Sequence, residues 1–171
     1  MDIRLTRSRA SLGLLAGVFA SALASAAMAA PVSVEAVMSP KEQMKFEFGD
    51  GSKHFVLAVR REGTAKGEGM LDGAKVTEFG WHDIRPPMDG DPQGYLEMTD
   101  ADGDLAVLKW SVRAIFMAGE GKPELHDNGV WELVSGTGKF KDMRGVGSLV
   151  IKPAGETDRR FILDGEINDA P

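Results

Sequence analysis

The sequence contains no cysteine. That removes disulfide staples, thiol nucleophiles, iron–sulfur ligation, haem attachment through cysteine and a lipidated N-terminal anchor. Histidine is almost as scarce: His54, His82 and His126 are the full set, and no two have ligand spacing such as HxH or HExxH, so no metal site is expected. The chain also lacks GxxxxGK followed by Ser or Thr, lacks GxSxG, and has no GxGxxG opening a βαβ unit. A phosphate loop, a nucleophile elbow and a dinucleotide fingerprint are therefore missing, and no cofactor is expected. No segment carries a sustained helical stripe, and no second long apolar run follows the first thirty residues.

Those first thirty residues are distinctive. Arg4, Arg7 and Arg9 precede an uncharged run from Ser11 to Ala30, which contains the small-x-small pattern Ala27-Met28-Ala29. This order of cationic, apolar and peptidase-readable segments is that of a secretory signal. Cleavage is expected after Ala29, with Ala26 a second readable position, leaving 30–171 as one domain of ordinary size. A retained anchor is the competing reading, but Ala and Ser dominate the second half of the run. The expected location is the periplasm or the cell exterior, without stable membrane insertion after cleavage. Residues 30–171 carry 17 Lys and Arg against 25 Asp and Glu, a net charge of −8. Such a surface repels phosphate backbones, so nucleic acid is excluded as an expected partner.

What remains reads as strand, turn, strand. Met44, Phe46 and Phe48 alternate with Lys45 and Glu47, the period of a half-buried strand, and Phe55, Leu57 and Val59 do the same after the turn at 49–52. Further strands are expected at 31–38, 75–85, 95–99, 105–117, 130–135, 145–152 and 160–167. A single helical turn is a candidate at 39–44, where Pro40 could begin it. The glycines at 63, 67, 69 and 73 suit a bent or bulged sheet, and 118–128 reads as a loop. So many short strands in one domain require closure or stacking. The expectation is all-β: a single antiparallel closed barrel of about eight strands, lipocalin-like in outline, with a sandwich as the alternative.

Candidate chemistry is sparse. His82 and Asp83 adjoin Trp81, yet neighbours in a strand face opposite ways, so a direct relay between them is geometrically poor. Asp100, Asp102 and Asp104 alternate like the start of a calcium loop, but Lys109 stands where that loop needs its bidentate glutamate, which favours a plain hairpin turn. On the strand 105–117, the even residues are uniformly apolar, whereas the odd set includes Lys109, Ser111 and Arg113. That mixed face either lines a polar-tipped lumen or meets water. Glu97, Lys109 and Arg113 interrupt an apolar hairpin and are candidate ligand-binding groups together with Trp81, His82 and Tyr95. Trp81, Tyr95, Trp110, Trp131, Phe140 and Phe161 could line an apolar cavity or simply fill a core.

The stretch WELVSGTGKFKDMRGVG, from Trp131 to Gly147, resembles the signature of the allene oxide cyclase and dirigent-like β-barrels, and is similar to their uncharacterised bacterial secreted members. The matching positions are Gly136, Thr137, Gly138, Phe140, Gly145 and Gly147, and the strand Asp102 to Trp110 before them also looks similar. The resemblance implies an eight-stranded barrel with a lumen open at one end, dimers or trimers, and chemistry on small reactive molecules without a redox cofactor. The chain departs from the pattern at Lys141-Asp142-Met143, and no complete catalytic set aligns. Those six residues are therefore carried over as structural positions only, and catalytic residues stay unassigned. The leading expectation is a barrel that binds a small, mainly apolar molecule. The alternatives are a cofactor-free isomerase or cyclase and a packed interaction module.

Overall fold

The computed structural model describes residues 29–121 and 123–170. The expected signal segment, apart from Ala29, lies outside them. The strands are β1 (Ala30–Glu47), β2 (Phe55–Gly69), β3 (Lys75–Arg85), β4 (Asp89–Gly90), β5 (Gln93–Thr99), β6 (Leu105–Met117), β7 (Glu124–Gly136), β8 (Met143–Pro153) and β9 (Arg159–Asp169). Each pairs antiparallel with the next around a ring, β1-β2-β3-β5-β6-β7-β8-β9, and β9 returns to β1 with Ala30 opposite Ile167 and Met38 opposite Arg159. The result is a closed eight-stranded barrel plus one extra strand. That strand, β4, lies between β3 and β6 and prolongs the line of β5 beyond Asp91 and Pro92.

Period-two patterning explains the wall. Val32, Val34, Ala36 and Met38 of β1, and Ala106, Leu108, Trp110, Val112 and Ala114 of β6, point inward and are buried. The mixed face of β6 meets water, since Lys109, Ser111 and Arg113 are exposed on the outside. Four of the six aromatics considered for a cavity, Trp110, Trp131, Phe140 and Phe161, fill the core instead. Trp131 lies over β8 and β9: a Cβ on Gly147 would come within 2.5 Å of its indole, and one on Gly165 within 2.7 Å.

Of the signature positions, Gly136 to Phe140 make the connection from β7 to β8, while Gly145 and Gly147 lie in β8. Thr137 accepts a hydrogen bond at Oγ1 from the Leu105 amide, a 3-10 turn spans Gly138–Phe140, and Phe140 is buried against Gly136. Gly138 has φ +51, in the left-handed region. Leu71, in the β2–β3 connection, is fully buried in the same core.

Three expectations need correction. Residues 39–44 form no helical turn: they continue β1 across a bulge at Lys41, where Pro40 pairs with Arg61 but Glu42 with Arg60. The extra residue reverses the side-chain parity, so Met44 and Phe46, of the same parity as buried Val32 to Met38, emerge outward and exposed. The face of Met44, Phe46 and Phe48, expected to be half-buried, is thus solvent-facing. The glycine-spaced run lies in sheet, as expected: Gly63, Gly67 and Gly69 belong to β2, where they let the backbone of β1 approach closely. Last, β7 begins at Glu124, so 124–128 of the loop expected at 118–128 are strand.

Candidate functional site

Two polar or aromatic constellations stand out, one inside the barrel and one on its outer wall. Inside, Arg61 of β2 and Glu78 of β3 are register partners and both are buried. Arg61 Nη1 donates to Glu78 Oε2 at 2.7 Å. His82 Nε2 lies 3.2 Å from both Glu78 Oε1 and Arg61 Nη1, so it can donate to the carboxylate or accept from the guanidinium. The His82 ring is 5.8 Å from that of Trp110. Gly80, between the two side chains on β3, is required: a Cβ there would meet Glu78 Oε1 at 2.4 Å.

Asp127 of β7 joins this interior electrostatically. Burial pushes its carboxyl up to about 6, against the opposing pull of His82, Arg159, His126 and Arg61. Burial and the Arg61 charge in turn press Arg159 below the usual arginine value. Asp127 Oδ1 and Arg61 Nε are buried without a hydrogen-bond partner. Orphaned buried polar atoms are costly, on the order of 1–3 kcal/mol each.

The outer constellation follows from sheet register. One row of outward residues runs Glu42, Arg60, Phe79, Tyr95, Lys109 across β1, β2, β3, β5 and β6. The adjacent row runs Met44, Ala58, Trp81, Gln93. Together they border a groove of about 840 Å³. Its aromatic floor is unusually bare, with Phe79 at 45%, Trp81 at 47% and Tyr95 at 45% exposure. Apolar side chains grouped like this on a surface mark a binding face more often than scattered ones do. Ala58 supplies depth, being the smallest side chain between Met44 and Trp81. Arg60 is engaged by Glu42 and Glu62, whereas Lys109 makes no ion pair among the described residues.

The groove thus brings together Trp81, Tyr95 and Lys109 of the six candidate ligand-binding residues. His82 points the opposite way, into the Arg61–Glu78 cluster, while Asp83 faces out and bonds His54 at 2.6 Å. Glu97 is exposed further along β5 and does not border the groove. Arg113 borders a smaller hollow of about 400 Å³ and pairs with Asp89 and Asp91, which Arg85 also holds. The turn at 100–104 uses Asp100 Oδ1 to accept the amides of Asp102 and Asp104 at 2.9 Å.

Sequence reasoning missed Phe79, Arg60, Met44, Arg61, Glu78 and Asp127. For Glu78 a signal existed: Val76, Glu78, Gly80, His82 and Ile84 share one parity, which places two ionisable groups on an otherwise apolar face. Arg61 likewise continues the face of Phe55, Leu57 and Val59. Asp127 had no such signal while its segment read as loop.

No family model matches the chain, and no curated protein does either. Among solved structures, the pterocarpan synthase dirigent protein GePTS1 is similar at TM-score 0.52 and 12% identity, over 93% of this chain and all (100%) of that one. A conserved protein of unknown function, RPA1785 from Rhodopseudomonas palustris, is similar at TM-score 0.50 and 14% identity, over 82% of this chain and 97% of that one. What this chain shares with them is the fold, a dirigent-like β-barrel.

Proposed function

We propose that this chain binds a small, mainly apolar molecule in the outer groove of the barrel, in the periplasm or outside the cell. The observation that carries the reading is the cluster Phe79, Trp81 and Tyr95, each nearly half exposed around one concavity. Exposed aromatics cost solvation and contribute little to the fold. A flat ligand stacked on them would remove that apolar area from water, at roughly 25 cal/mol per Å². A groove of this volume lies within the ordinary range for small-molecule sites.

Native mass spectrometry of the protein purified from its own cells tests the reading. The expected result is an organic adduct in stoichiometric amount, lost in Ala58→Phe, which fills the groove from the outer face. An adduct that survives Ala58→Phe would place the ligand elsewhere and overturn it.

A second reading, cofactor-free acid–base chemistry inside the barrel, is favoured by Asp127. An aspartate that exchanges its proton near pH 6 beside a histidine is suited to general acid–base work. It would act on a substrate able to reach the interior, and turnover would be lost in Asp127→Asn while groove binding persisted.

A further inference from the structure

Resting on the groove reading, we infer that the ligand is a planar aromatic anion, a carboxylate in the simplest case, bound with its charge at Lys109 and its apolar end toward Met44 and Ala58. The argument is the polarity of the row itself. From β2 to β6 it reads cation, aromatic, aromatic, cation: Arg60, Phe79, Tyr95, Lys109. The two ends are not equivalent. Arg60 is neutralised by Glu42 and Glu62, and these pairs raise its pKa further above its already high usual value, chiefly through the hydrogen bonds it donates to Glu62 and Glu42. Lys109 has Tyr95 on one side and Glu132 on the other in the register, and it pairs with neither acid nor loop among the described residues.

The charge balance points the same way. With Arg60 held by Glu42 and Glu62, Lys109 is the one lining cation without an ion pair among the described residues, on a chain whose net charge is −6. An unpaired cation on an acidic protein attracts an anion at that place, while the acidic surface repels anions elsewhere. Size follows from strand spacing. Adjacent strands lie about 4.8 Å apart, so Phe79 on β3 and Lys109 on β6 are separated by roughly 10 Å. One or two fused rings with a directly attached carboxylate span that distance, and Trp81, in the neighbouring row, widens the stacking floor. A saturated chain would leave three flat rings without flat partners.

Isothermal titration calorimetry with naphthalene-2-carboxylate and its neutral counterpart naphthalene-2-carboxamide tests this on the wild type, Lys109→Gln, Ala58→Phe and Tyr95→Ala. The wild type should bind both, the acid roughly fivefold more tightly, as one exposed ion pair allows. Lys109→Gln should bring the acid down to the level of the amide. Tyr95→Ala should weaken both by about tenfold, and Ala58→Phe should abolish both. Equal affinity of acid and amide in the wild type, or a preference that survives Lys109→Gln, overturns the anion inference while leaving the groove reading intact. No binding of either compound, or binding unaffected by both Ala58→Phe and Tyr95→Ala, overturns both.

Discussion

An aspartate in an unfolded chain ionises near 3.8, while burial holds Asp127 protonated up to about 6. Between those values the folded protein binds more protons than the unfolded one, so this residue makes stability fall as pH rises. Its contribution is complete below pH 3.8 and gone above pH 6, a change on the order of 2–3 kcal/mol. Asp127→Asn should remove that slope, which urea midpoints at pH 4, 5, 6 and 7 would show; parallel curves for wild type and variant would mean that the carboxyl is solvated. Glu78 poses the complementary case. Glu78→Ala strands the buried Arg61 guanidinium without its carboxylate, which should cost about 3–5 kcal/mol, whereas Arg61→Met with Glu78→Leu should lie near the wild type. Thermal unfolding of the two variants separates them. Of these groups, His82 was visible in the sequence. Glu78 and Arg61 share the inward parity of β3 and of the end of β2, and charged residues on an apolar parity have no local signature of what pairs with them.

Glycines decide how the strands pack around Trp131. Gly147 and Gly165 pair across β8 and β9, and the indole occupies the space that side chains would fill. In Gly147→Ala the new methyl meets the indole at 2.5 Å and the Asp164 carbonyl at 2.1 Å, so a loss of about 1–3 kcal/mol is expected. Val146→Ala, on the exposed side of the same strand, should change stability by under ~0.5 kcal/mol. Denaturant midpoints compare them, and equal values would deny the packing role. The glycine spacing was legible as a motif from Trp131 to Gly147, but its cause, a ring lying across two strands, is a tertiary fact. The bulge at Lys41 teaches the same lesson in β1: one inserted residue reverses the faces of everything after it, and alternation alone reads straight through it.

For the molecule as a whole, the closed all-β barrel was legible because alternation, turn residues and the absence of a helical stripe all agree. Which strands meet at the seam was not, since pairing between β1 and β9 joins the two ends of the barrel segment. That seam predicts a gradient of protection. Amides of Val32 to Ala36, bonded between β2 and β9, should exchange far more slowly than those of 41–54, where β1 has left β9 and both of its faces are exposed. Hydrogen exchange read by mass spectrometry checks this, and uniform protection along β1 would contradict it. The groove belongs to the same scale. Trp81, Tyr95 and Lys109 were individually noticeable, but the row that joins them to Arg60 and Phe79 exists only once the strands are in register.

The central claim is that small-molecule recognition lies on the outer wall, and a crystal structure of the protein soaked with naphthalene-2-carboxylate tests it most directly. The account predicts a naphthalene ring stacked among Phe79, Trp81 and Tyr95 with its carboxylate at Lys109. A ring found instead inside the barrel beside Asp127, or a second copy of the chain seated on the groove in its place, would contradict it.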